Sequence, residues 1–93
     1  MNKYELALVV NAKVEDEVRN ATVEKATEYI TRFGGTVTGI DDWGKKRLAY
    51  EIQHQTEGFY YLINFEGDSA TPVGVESELR IYEPVLRYLV VKK

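Results

Sequence analysis

The spacing of apolar positions changes repeatedly along the chain, and each change marks an element. Lys3 to Val10 (KYELALVV) is apolar-rich and ends in β-branched residues, which predicts a strand that Asn11-Ala12-Lys13 breaks. From Val14 to Phe33 the spacing becomes helical. Val18, Thr22, Val23, Ala26, Tyr29, Ile30 and Phe33 gather on one side, and Glu17, Glu24, Glu28 and Thr31 fall away from it. Glu15, Asp16 and Glu17 crowd the first turn, where they complement the helix dipole; Arg32 closes the last turn and Gly34-Gly35 supplies a left-handed stop. Thr36 to Ile52 is mostly extended, and its interruptions at Gly39 and Gly44 predict one bent or bulged strand. Beyond Gly44, Leu48, Tyr50 and Ile52 take one side, and Lys45, Arg47, Ala49 and Glu51 the other. A polar loop follows (Gln53-His54-Gln55-Thr56-Glu57), then Gly58 and the strand FYYLINFE, whose apolar side is Phe59, Tyr61, Ile63 and Phe65. Gly67-Asp68-Ser69-Ala70 reads as a turn. Thr71-Pro72 then enters a short helix, threonine as cap and proline at the first helical position. Val75 and Leu79 are spaced for burial, and Gly74 weakens this helix by ~1 kcal/mol relative to alanine. Glu83-Pro84 ends it, and Val85 to Lys92 is the last strand.

The order strand, helix, strand, strand, helix, strand gives two βαβ units joined by a hairpin, the ferredoxin-like arrangement of the α+β class. Right-handed crossovers put both helices on one side of a four-stranded antiparallel sheet of order 4-1-3-2, a single domain spanning residues 1–93. Leu6, Leu8 and Val10, with Tyr88 and Val90, should face the helices. The open side then carries Lys3, Glu5, Tyr60, Asn64 and Arg87 among an apolar set, Ala7, Val9, Leu62, Leu89 and Val91. A solvated surface is rarely so apolar, and that set is the expected partner interface.

Composition removes most chemistry. The 93 residues contain no cysteine and one histidine, which excludes disulfides, thiolate metal sites and a multi-histidine centre. His54 sits in a polar loop, and Glu15-Asp16-Glu17 and Asp41-Asp42 read as a helix start and a solvated bend rather than as general acids. No Gly-rich phosphate loop follows a strand, since Gly34-Gly35 follows a helix. No catalytic residue, metal site, cofactor or small-molecule substrate is expected. There is no membrane-length apolar run and no signal-peptide pattern at Met1-Asn2-Lys3-Tyr4, so a cytoplasmic location is the default.

Fifteen acidic against twelve basic residues, a net charge of −3, argue against a nucleic-acid partner until the positions are considered. Arg80, Arg87, Lys92 and Lys93 concentrate at the end of the chain, and antiparallel pairing of the first and last strands brings Lys3 beside Lys92 and Lys93. Each can neutralise a phosphate, or simply solvate an edge strand. Lys45-Lys46-Arg47 forms a second cluster. GFYYLINF resembles the third-strand signature of the RNA recognition motif, but Glu57, Tyr60 and Asn64 occupy positions that should be basic, small and aromatic, and the stacking aromatics would be buried. Two classes remain open on the residues alone: an RNA-binding structural protein, and a ferredoxin-like regulatory or dimerisation domain binding a small ligand.

KYELALVVN at the start, WGKKRLAYEI at 43–52, GFYYLINFE at 58–66 and ELRIYEPVLRYLVVK at 78–92 resemble the bacterial small-subunit ribosomal protein S-six family, in order and over essentially the whole chain. The resemblance implies a ferredoxin-like, non-catalytic protein of the ribosome. Such a protein pairs with ribosomal protein S-eighteen and binds the central domain of small-subunit ribosomal RNA. At matching positions it implies RNA contacts by Lys3, Arg80, Arg87 and Lys92, which Lys93 joins by its place in the charge cluster. Two departures stand out: Glu51 occupies a position where some members have proline, and the sequence lacks the acidic tail that some carry.

Overall fold

The computed structural model describes residues 2–52 and 55–93, with the side chains of all but 49–52 and 55. The elements are β1 (Asn2–Asn11), α1 (Asp16–Arg32), β2 (Thr36–Ile52), β3 (Gln55–Gly67), α2 (Ala70–Leu79) and β4 (Val85–Lys92). The strands form one antiparallel sheet in the order β2-β3-β1-β4, the expected 4-1-3-2 seen from its other edge. Strand alternation puts Tyr4, Leu6, Leu8 and Val10 of β1 with Tyr61, Ile63 and Phe65 of β3 on one side. There they meet Ala26, Tyr29 and Ile30 of α1 and Val75 and Leu79 of α2. Thr22 is buried on the same face of α1, its hydroxyl satisfied by the Val18 carbonyl at 2.7 Å. Val18 itself, expected on the apolar face, is exposed one turn beyond the core.

The end of α1 is built as its glycines require. Gly34 takes φ +86°, its N–H bonds the Thr31 carbonyl at 3.1 Å, and the Gly35 N–H reaches back to the Ile30 carbonyl at 2.8 Å. Phe33, just before this stop, joins the two helices. Its ring lies where any side chain at Gly74 would stand, and its carbonyl accepts a hydrogen bond from the buried Thr71 hydroxyl at 2.8 Å. Gly74 is therefore a close-packing position that offsets its poor helix propensity.

That contact also corrects the expected start of α2. Thr71 is not the cap: its hydroxyl is committed to Phe33, the helix begins at Ala70, and Asp68 holds the turn through its Oδ1 and the Ala70 N–H, 2.9 Å apart. α2 stops at Leu79, four residues before Glu83. The Tyr82 N–H bonds the Leu79 carbonyl and the Val85 N–H the Tyr82 carbonyl, each at 3.1 Å, so turns replace the last predicted helical residues.

β2 is one bent strand, as its glycines suggest, with register shifts at Val37/Gly39 and Asp42/Gly44. Gly44 takes φ +74° and gives its N–H to Asp42 Oδ1 at 2.8 Å. The residues expected as a polar loop belong partly to β3, which starts at Gln55 and pairs Gln55 with Ile52 and Glu57 with Arg47. Gln53 and His54 lie outside the described residues, as do the side chains that would test the sides of Tyr50 and Ile52. β1 ends at Asn11 opposite Gly58, so beyond that point β2 and β3 continue as a two-stranded arm.

Candidate RNA and partner interface

The side of the sheet away from the helices is set by β1, β3 and β4. Its alternate positions expose Leu89 (53%) and Val91 (43%) on β4, with Ala7 and Leu62 half-buried beside them. Val9 departs from the expected interface: it shares this side but is 6% exposed, beneath Leu48, Leu86 and Tyr60. The cause is a slip in the β1–β4 register, where Val9 faces Arg87 and Val10 faces Val85. The extra residue, Leu86, packs onto Val9 while Arg87 keeps to the same side. Arg87 then lines a shallow groove with Ala7, Val9, Tyr60 and Leu89. Alternation alone carries no signal for this bulge, so Leu86 escapes a reading by parity.

The structure divides the sequence-predicted cations between two sides. Lys3 is exposed on the open side, opposite Glu66 in the β1–β3 register. Lys93 extends the β4 pairing, its N–H bonding the Lys3 carbonyl at 2.8 Å. Its ammonium is already engaged, donating to Asn64 Oδ1 at 2.6 Å and standing 3.3 Å from Glu5 Oε2. Lys92 is adjacent in the sheet, as expected, but pairs with Tyr4 and so takes the helix-facing side. Arg80 is exposed at the end of α2, where it lines a depression with Val73, Glu76, Ser77 and Tyr88, also on the helix side of β4. The five cations thus surround one edge strand without sharing a face.

Lys45 and Lys46 are exposed at the root of the arm, opposite Phe59 and Gly58, and Arg47 is exposed on the arm itself, with Lys45 Nζ 3.9 Å from Glu57. At the arm's root, on the helix side, the Arg19 guanidinium lies 4.1 Å over the Phe59 ring and 3.6 Å from Asp16. Below it, burial raises the Tyr61 pKa; the nearby Arg19 opposes the rise, and Asp42 and Asp16 add to it. Among the described residues no group of three or more histidines or acids could hold a metal ion, and no helix is long and apolar enough to cross a membrane.

Comparison with known proteins gives a concordant result. A family model described as Ribosomal protein S6 matches residues 3–92. The small ribosomal subunit protein bS6 of Desulfitobacterium hafniense is 44% identical over 93 residues, covering 100% of this chain and 98% of its own. That of Moorella thermoacetica is 44% identical over 92 residues, covering 99% and 94%. The crystal structure of 30S ribosomal protein S6 from Thermotoga maritima superposes with a TM-score of 0.94 at 25% identity, covering 99% of this chain and 87% of that one.

Proposed function

The chain belongs to the ribosomal protein S6 family, structural proteins of the small subunit of the cytoplasmic ribosome rather than enzymes, and from this premise we propose its binding partners. Acting as one domain over residues 1–93, it binds the central domain of small-subunit ribosomal RNA together with ribosomal protein S-eighteen. The observation that carries this reading is the pairing of an exposed apolar sheet side with a cation-flanked β4 on a chain of net charge −3. Few cations reach phosphate from this surface, so the chain alone gains little from counterion release. A basic protein seated on the apolar side supplies further phosphate contacts, and the pair binds as one unit.

The test compares the isolated chain with the preformed pair on a central-domain RNA fragment, by filter binding at fixed salt. The pair should bind at least tenfold more tightly than either protein alone. An isolated chain that matches the pair would overturn the reading.

A further inference from the structure

We propose that Arg19 is a positioning residue that braces the β2–β3 arm against α1, and that the braced arm presents Lys46 at its root and Arg47 beyond it to RNA; the second half rests on the proposed function. The last row that the arm shares with the sheet is Asn11–Gly58–Lys46, and beyond it only β2 and β3 pair. Each of these strands carries a glycine near the exit, Gly44 at φ +74° and Gly58, so the backbone alone resists bending weakly there. On the open side Leu48 holds the arm by packing with Val9 and Leu86. On the helix side Arg19 does so, its guanidinium 4.1 Å over the ring of Phe59, the residue next to Gly58 in β3.

Stability does not account for an arginine at this place. Its side chain is 21% exposed, its Nε is buried with no acceptor among the described residues, and its ion pair is a 3.6 Å contact to Asp16, which is 85% exposed. Such a pair returns little, and an apolar side chain of similar length would avoid the unsatisfied donor. What the guanidinium adds is direction. A planar cation over a ring fixes where the ring, and the strand that carries it, stands relative to the helix. The region it orients is charged on both sides: Lys46, opposite Gly58, takes the open side and Arg47, opposite Glu57, the helix side, and both are exposed. A docked protein covers one side of such a ribbon, whereas the phosphates of a folded RNA can reach cations on both.

The experiment uses the full chain, alone for hydrogen exchange and paired with purified ribosomal protein S-eighteen on a central-domain RNA fragment for binding. Arg19→Met keeps the stem without the charge. It should leave the urea midpoint unchanged or raised and the mid-β1 amides as protected as before, while arm amides exchange at least fivefold faster. Arg19→Lys, which keeps a cation near the ring, should release the arm less than Arg19→Met does. Unchanged arm exchange in Arg19→Met, or faster exchange spread evenly over the sheet, would overturn the brace. Lys46→Gln combined with Arg47→Gln should lower the slope of log K for RNA against log salt by about 1.5, for two lost phosphate contacts. Arg19→Met should weaken RNA binding at least threefold in the otherwise wild-type chain and not at all in that double variant, because its effect passes through the arm. An unchanged slope would take RNA away from the arm, and an equal loss in both backgrounds would make Arg19 itself the contact; either overturns the proposal. If the wild-type pair ignores RNA, the proposed function fails and the second half of this proposal with it, and the exchange measurement still decides the brace.

Discussion

At Gly74 alanine would favour the helix by about 1 kcal/mol, yet its methyl group would occupy the space of the Phe33 ring. Overpacking of this kind costs about 1–3 kcal/mol, so Gly74→Ala should destabilise the protein in urea unfolding. An increase in stability would show that the ring moves aside freely. Thr71→Val keeps the shape but leaves the Phe33 carbonyl without its donor, and a loss of about 1–3 kcal/mol is expected from the same measurement. Tyr61 makes a third residue-scale test. Burial holds its pKa above the ordinary 10.0, so the folded protein retains the phenol proton more strongly than the unfolded chain. The stabilisation is complete below about pH 10 and is lost as pH rises towards the folded-state value. Tyr61→Phe should flatten this alkaline decline in thermal melts; an unchanged decline would assign it to other groups.

Among the elements, α1 is the one whose sequence leaves least freedom. Its acids, apolar stripe and paired glycines specify start, buried side and stop, and Ile30 is fully buried where that stripe places it. Ile30→Ala should cost about 2–5 kcal/mol as a core truncation, measured by equilibrium unfolding. α2 is less legible for a physical reason. Threonine before proline has the local chemistry of a helix cap, but a tertiary contact to Phe33 takes the hydroxyl, and no local rule reports a partner 38 residues away. β3 is longer than its sequence suggests for a similar reason, because polar Gln55, Thr56 and Glu57 look like a loop although Gln55 and Glu57 pair with β2. At the β4 bulge, one inserted residue reverses the phase of the alternation. Val9 and Leu86 therefore cover each other where parity expects an open surface.

At the scale of the whole molecule, net charge and charge placement lead to different expectations, and placement is the informative one. The sequence brings Lys3, Lys92 and Lys93 together, but only the register shows that Lys92 turns to the helix side and that Lys93 is spent on Glu5 and Asn64. Arg87→Ala should weaken assembly onto RNA with little change in melting temperature, since the side chain lies at the surface; a large thermal loss would contradict that position. The long β2–β3 arm has a consequence for how the molecule opens. From Tyr4 to Val9, β1 is hydrogen-bonded to strands on both sides, whereas Arg47 and Glu57 pair only with each other's strand. Amide protons in the middle of β1 should exchange with deuterium only when the entire protein unfolds, while those of the arm are released by separating two strands. Docking of a partner against the root of that arm would register as slowed exchange there first.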